Sequence, residues 1–353
     1  MNPNRFQAAA DLVEEAVAKK GIPGAVLVIV HRGQIALRQC WGAAGLRPTL
    51  RPMTCETLFD LASLTKPIAT GSALALLLET GRLRLDDPVE RFLPAFSKRP
   101  GITIRHLATH CAGLPPGGAY ANRYVTLEEI VVEIVRSRKV ATVGEKFVYS
   151  DYSAITLGAV VEAIVGQRLD LFCREHVFLP LAMTDTAYRP GVRLAPRCAS
   201  TAAGDDLPGR RGRVHDPTAA ALEGAGCVSG NAGLFSTGDD LARFAQMLLE
   251  DGRGLLKPET IRLVTQSQSP LPGPEGQRGV LWDIGSAYSI RGELPANSFG
   301  HTGFTGTSIW ISPSSLCAII LLTNAVHAAD AGPKNSTVAL RRAVSTAVAH
   351  VQK

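Results

Sequence analysis

Strand character lies at the two ends of this chain, and helical periodicity fills the middle. Near the start, residues 25–31 and 34–41 are rich in Val, Ile and Leu, and the Arg32-Gly33 step between them reads as a tight antiparallel hairpin. Near the end, residues 298–302, 307–311 and 317–322 read the same way. Residues 69–80, 127–136 and 155–165 instead carry apolar side chains at helical spacing, separated by loops with Gly and Pro. Two further helices are expected at the termini, residues 4–20, stopped by Gly21-Ile22-Pro23-Gly24, and residues 336–351. The pattern predicts an α+β fold in which both ends of the chain build one discontinuous α/β lobe, residues 1–62 and 225–353. That lobe would hold an antiparallel sheet flanked by the terminal helices, with an inserted, mainly helical lobe of residues 63–224. Residues 190–226, rich in Gly, Pro and Arg, read as a long loop, and residues 239–250 as a helix capped by Thr237 or Asp239. A cleft between two lobes is where a ligand would sit.

Size and composition exclude several alternatives. With 353 residues, 46% hydrophobic and 19% charged, the chain can bury a large core and is neither disordered nor fibrous. The net charge of +6 comes from scattered arginines, and the densest cluster, Arg210, Arg211 and Arg213, has no aromatic partners. No nucleic-acid partner is expected. Seven cysteines, widely spaced and without a C-x-x-C pair, argue for reduced thiols over a disulfide framework or zinc site. The apolar runs are too short to cross a membrane, and the start, with Glu14, Glu15, Lys19 and Lys20, lacks the pattern of a secretory leader. A cytoplasmic location is therefore expected for the chain as it stands, and a periplasmic one if a leader precedes it.

Three short segments carry possible chemistry. Ser63 and Lys66 precede a helical run, so their spacing brings hydroxyl and amine onto one face of a first helical turn. A serine becomes a nucleophile when a neighbour takes its proton, and a lysine in a dry, positively charged pocket can have its pKa lowered enough to do so. The Ser63 backbone N–H would also face a developing oxyanion. Tyr149-Ser150-Asp151 precedes another helix, and a tyrosine beside a lysine can share the serine's proton and pass it to the leaving group. His301-Thr302-Gly303 ends a short strand, where glycine lets a substrate backbone lie close and the Phe304 N–H is placed to complete an oxyanion hole. Each segment alone is weak evidence.

Their order along the chain is more specific. Ser-x-x-Lys near residue 60, Tyr-x-Asp near 150 and His-Thr-Gly near 300 resemble the three signatures of the class C β-lactamases and penicillin-binding-protein-like serine hydrolases. That family includes D-alanyl-D-alanine carboxypeptidases and esterases. The resemblance extends to Leu85-Asp86-Asp87-Pro88, to residues 104–115 (IRHLATHCAGLP) and to Gly233-Leu234-Phe235-Ser236-Thr237, and so covers nearly the whole chain. It implies the β-lactamase/transpeptidase-like fold and an acyl-enzyme on Ser63. It further implies Lys66 and Tyr149 as the base system, the Ser63 and Phe304 amides as the oxyanion hole, Asp151, His301, Thr302 and Gly303 around the substrate, and neither cofactor nor metal.

Two departures bear on the substrate. The class C enzymes have Tyr-Ala-Asn, whose amide binds the antibiotic's side-chain carbonyl, whereas an ionised Asp151 can only accept. They also have Lys-Thr-Gly, whose permanent charge helps hold a carboxylate, whereas a histidine of ordinary pKa, about 6.5, is mostly neutral at pH 7. If the His301 imidazolium nevertheless steadied an anionic substrate, kcat/KM for that substrate would fall as pH rises through the histidine's pKa. The departures favour carboxylic esters or small amides as substrates. D-alanyl-D-alanine-type peptides or slow β-lactam turnover come second, a penicillin sensor that acylates and stalls third, and acyl transfer to an amine or alcohol fourth. His106 and His110, four apart, mimic a metal pair without a third ligand and are expected to be structural. His215-Asp216 reads as a loop-stabilising pair, and Cys111 and Cys227 as small buried residues.

Overall fold

The computed structural model describes residues 5–19, 21–118, 125–201, 210–273, 276–286, 289–327 and 335–352. Asn4 and Lys20, the outer limits of the first expected helix, and residues 202–209 of the expected long loop lie outside these. Strand β1 (Gly24–His31) pairs antiparallel with β2 (Gln34–Gly45) on one side and with β9 (Cys317–Thr323) on the other, so the two ends of the chain meet at the centre of one sheet. With β3 (Arg51–Pro52), β7 (Phe299–Thr302) and β8 (Ser308–Ser312), the order is β3-β2-β1-β9-β8-β7, antiparallel throughout. The β1–β2 hairpin turns on Arg32 and Gly33, both at positive φ (50° and 75°), the geometry that matches the twist of the strands it joins.

Every residue of β1 is buried because its two faces meet different layers. Ala25, Leu27 and Ile29 point with Trp310, Ile319 and Leu321 toward the terminal helices α1 (Gln7–Ala18) and α10 (Asn335–Gln352), through Val13, Val344 and Val348. Val26, Val28 and Val30 point with Ile309, Ile320 and Leu322 the other way, into a core shared with the helices that follow in the chain between residues 72 and 265. Those helices are α2 (Ser72–Glu79), α3 (Ile104–Ala108), α4 (Leu127–Arg136), α5 (Asp151–Val165), α6 (Leu169–Cys173), α7 (Pro217–Gly224), α8 (Gly238–Leu249) and α9 (Pro258–Thr265). The period-two alternation thus sorts one strand's side chains into two cores. Each large aliphatic side chain so buried contributes about 1.5–3 kcal/mol. A second, small sheet, β4 (Phe59–Asp60), β6 (Leu234–Ser236) and β5 (Ala187–Tyr188) in that order, underlies the segment that carries Ser63.

Three expectations need correction. Residues 190–226 are not loop throughout, because Pro217–Gly224 is helical: Pro217 opens the helix and the Asp216 carboxylate accepts from the Ala219 N–H. The helix expected from residue 155 begins at Asp151, since the Ser150 hydroxyl caps the Ser153 N–H. Ser63 and Lys66 do not share an α-helical turn. Ser63 lies in a 3-10 turn, Ala62–Leu64, and Lys66 opens a π-helical turn, Lys66–Gly71, where Pro67 supplies no N–H for a regular ladder. The seven cysteines are all free thiols; Cys111 is buried as expected, whereas Cys227 is only half-buried, and no described helix is long and apolar enough to cross a membrane.

Candidate active site

Ser63 is presented by a strained, heavily tied segment. Ala62, just before it, has φ 47°, a left-handed conformation that costs a non-glycine residue about 1–2 kcal/mol. The buried Asp60 holds it there. One carboxylate oxygen accepts from the Ala62 N–H (2.9 Å), the other from the His215 N–H (2.7 Å), and the Asp60 carbonyl accepts from the Thr305 hydroxyl (2.7 Å). Asp60 therefore joins the Ser63 turn to the loop before α7 and to the β7–β8 turn. Burial pushes its pKa up to about 6 against the pull of those two N–H groups. Asp60→Ala would leave two buried N–H groups without acceptors, at about 1–3 kcal/mol each. We expect a drop of roughly 2–5 kcal/mol in unfolding free energy, measured by urea titration, together with a lower kcat; a variant as stable and active as wild type would show that Asp60 positions nothing.

Ser63 and Lys66 still meet across the irregular turn. The Lys66 ammonium is fully buried, donates to the Ser63 Oγ (2.9 Å) and to the Asn231 carbonyl (3.1 Å), and forms an ion pair with the Asp151 carboxylate (2.7 Å). Burial alone would lower its pKa, but the Asp151 carboxylate and then Tyr149 outweigh burial and raise it. This corrects the expectation of a lysine with lowered pKa, because the pocket is not positively charged once Asp151 enters it. Lys66 is a cation at neutral pH. Ser63 Oγ accepts from it, which leaves the serine's own hydrogen to be given elsewhere.

The segment 103–116 explains how Tyr149 is aimed. The Thr103 hydroxyl and the His106 ring cap the two ends of the first turn of α3, and Arg105 grips both Asp86 oxygens at 2.8 and 3.0 Å. His110, at φ 58°, accepts from the Val148 N–H through its carbonyl (2.9 Å) and from the Ser150 N–H through Nδ1 (3.2 Å). The Pro115 carbonyl accepts from the Ser150 hydroxyl (2.6 Å), and the Pro116 carbonyl from the Asp151 N–H (2.7 Å). Tyr149 is thus gripped on both sides, with its ring against His110 (centroids 4.7 Å apart) and 5.1 Å from the Lys66 nitrogen. His106 and His110 act here as hydrogen-bonding and capping groups.

Across the cleft, His301 and Thr302 end β7, the edge strand of the large sheet, and Gly303 and Phe304 follow it. A side chain at 303 would meet the Thr307 hydroxyl at 2.2 Å and the Leu61 carbonyl at 2.4 Å, so only glycine lets this strand end pack on the Ser63 segment. Phe304 is exposed at the turn and its ring stacks on His215 (5.6 Å). The His301 Nδ1 lies 2.8 Å from the Thr302 carbonyl, which can only accept, so Nδ1 carries the hydrogen and the buried Nε2 is an acceptor. Burial, Arg278 and Lys66 hold its pKa well below the ordinary histidine value. The imidazolium considered for this position is therefore absent at neutral pH, and His301 has no charge to lose as pH rises.

All of the residues expected at the site except the buried Lys66 line one cleft of about 1000 Å³: Ser63, Tyr149, Asp151, His301, Thr302, Gly303 and Phe304. Lys66 reaches Ser63 from beneath. His215 and Asp216 line it too, beyond the loop-stabilising role expected of them. Two residues with no sequence signal join them. Arg278 is buried, 4.8 Å from the Phe147 ring and 3.7 Å from the Asp283 carboxylate, and Arg341 reaches in from α10.

Comparison with known proteins places this geometry among relatives. A family profile described as Beta-lactamase matches residues 9–343. A protein of Escherichia coli strain K12, whose name assigns it provisionally to the D-alanyl-D-alanine carboxypeptidases, is 31% identical over 90% of this chain and 81% of its own length. An N-acetylmuramyl-L-alanine amidase of Bacillus subtilis strain 168 is 31% identical over 92% and 82%. Among solved structures, EstCE1, a hydrolase with promiscuous acyltransferase activity, superposes with a TM-score of 0.81 at 24% identity, covering 97% of this chain and 98% of that one.

Proposed function

The chain belongs to the beta-lactamase family, and from that premise we propose that it is a serine hydrolase of carboxylic esters or small amides that works through an acyl-enzyme on Ser63. The observation that carries this reading is the 2.9 Å contact between the Ser63 Oγ and the buried Lys66 ammonium at the floor of the cleft. Ser63 Oγ attacks the substrate carbonyl carbon as its proton passes to Tyr149, which enters the step as the phenolate paired with the Lys66 ammonium and leaves it as the phenol. The Ser63 and Phe304 N–H groups hold the oxyanion, and Tyr149 returns the proton to the departing alcohol or amine. Water, deprotonated by the same tyrosine, then attacks the acyl carbon and frees Ser63.

Esters lead over β-lactams for two structural reasons. Asp151 is engaged by Lys66 and has no hydrogen to give to an antibiotic's amide carbonyl, and His301 offers a lone pair where a carboxylate would need a donor. Each missing hydrogen bond is worth about 0.5–1.5 kcal/mol, so short-chain p-nitrophenyl esters should exceed nitrocefin in kcat/KM by roughly tenfold or more. Nitrocefin as the better substrate would sink the ester reading. A D-alanyl-D-alanine-type carboxypeptidase is the second reading, favoured by the buried arginines in the cleft and by the name of the Escherichia coli relative. Intact mass during incubation with the ester, nitrocefin and a D-Ala-D-Ala peptide separates turnover from the persistent adduct of a sensor. Added alcohol or amine acceptors reveal transfer.

A further inference from the structure

Two of the seven cysteines face each other away from the cleft. Strand β2 pairs with β3 through Ala43 opposite Pro52, and the Met53 N–H continues that register by donating to the Gly42 carbonyl (2.9 Å). Carried on residue for residue, the same register sets Cys40 opposite Cys55, and residues so opposed bring their Cβ atoms to about 4.5–5.5 Å. Side-chain contacts agree. The Cys40 thiol donates to the Met53 carbonyl at 3.8 Å, and the Cys55 thiol is hydrogen-bonded to that of Cys40. Arg38, on the same face of β2 as Cys40, reaches the Glu56 carboxylate beside Cys55 at 2.8 Å. Cys55 itself sits in a turn closed by the Thr57 N–H on the Thr54 carbonyl and by the Thr54 N–H on the Thr57 hydroxyl, each at 3.1 Å. Both thiols are half-buried, within reach of a small solute, whereas Cys111, Cys173, Cys198 and Cys317 are buried. Cys227, also half-buried, turns its thiol to the Ala225 carbonyl (3.9 Å).

We propose that Cys40 and Cys55 are a modification site, a thiol pair that hydrogen peroxide converts reversibly into a disulfide stapling β2 to the turn that leads into β4 and Ser63. Burial and the hydrogen bond to Cys40 push the Cys55 thiol up to about 12, so it keeps its proton at neutral pH and the first attack falls to Cys40. The Cys40 thiolate attacks one peroxide oxygen: an S–O bond forms as the O–O bond breaks, and the departing hydroxide takes up a proton to become water. Cys55 then attacks the Cys40 sulfur. The S–S bond forms, the S–O bond breaks, and the Cys55 proton leaves with the hydroxide as a second water. The two thiols have lost two electrons, the peroxide has gained them, and a thiol reductant reverses the change. The staple closes a loop of roughly 15 residues and fastens the chain that runs through Phe59 and Asp60 to Ser63. Neither thiol is among the residues that line the cleft, so the pair does not depend on the role of Ser63.

The folded full chain is treated with a few equivalents of hydrogen peroxide and compared with untreated protein by thermal melting and, after alkylation with N-ethylmaleimide in denaturant, by intact mass and non-reducing peptide mapping. Expected are two fewer alkylated thiols, a cross-linked peptide pair containing Cys40 and Cys55, and a Tm higher by about 4 °C, all reversed by dithiothreitol. Cys55→Ser should lose the cross-link and the rise in Tm together. Should that variant fail to fold, the peptide map of the wild type still decides the pairing. Thiols left unmodified, sulfinic or sulfonic acids without a cross-link, a cross-link between other cysteines or between two chains, or a rise in Tm that persists in Cys55→Ser overturns the site. A Cys40–Cys55 cross-link that leaves Tm unchanged overturns the staple.

Discussion

Ser63→Ala is expected to reduce ester turnover to the background of the uncatalysed reaction, a loss on the order of 10⁴-fold or more in kcat. The fold should survive. Ser63 is a partly exposed residue at the cleft floor, and its Oγ gives the core one hydrogen bond, from Lys66. Removing it takes that acceptor from a buried ammonium which keeps Asp151 and the Asn231 carbonyl, so the stability cost should stay near 1–2 kcal/mol. Stopped assays on p-nitrophenyl acetate, with circular dichroism as the control for folding, read both quantities. A folded Ser63→Ala protein with near wild-type activity would remove Ser63 from the chemistry.

Tyr149→Phe should be the second most damaging change, lowering kcat by about 10²–10⁴ while KM moves only a few-fold. The reason lies in the charge state of Lys66. Asp151 at 2.7 Å keeps the lysine protonated, so it can donate to Ser63 Oγ but has no lone pair with which to take the serine's proton. The base is then the Tyr149 oxygen as phenolate, and phenylalanine keeps the ring's packing on His110 while removing that oxygen. Combined with Ser63→Ala, the tyrosine change should cost nothing further, because groups that act as one unit lose their effect together. A Tyr149→Phe enzyme with kcat within threefold of wild type would return the base role to Lys66.

The parts of the fold that follow from local pattern were legible in the sequence. Alternating side chains in β1 and β9, the Arg32-Gly33 turn and the run 127–136 are set by periodicity and turn chemistry, and the structure places them within a residue or two of expectation. The helix at Pro217–Gly224 carried a readable signal, an Asp-Pro start before an alanine run, that the surrounding Gly and Arg obscured. The site was legible as a list of residues, yet its electrostatics were not. Lys66 has its pKa raised by Asp151, which lies 85 positions further along the chain, and no local rule connects them. Asp60, Arg278 and Arg341 had no motif to mark them. Their importance arises only when β4, the segment before β7 and the C-terminal helix converge on one cleft.

Intact-mass measurement on acid-quenched protein during turnover of p-nitrophenyl acetate reads the proposed covalent acyl group on Ser63 itself. One added acetyl per chain is expected, mapped by peptide digestion to the segment containing Ser63, lost as substrate is exhausted and absent from Ser63→Ala. Turnover without any adduct, or an adduct that maps elsewhere and persists in Ser63→Ala, would contradict it.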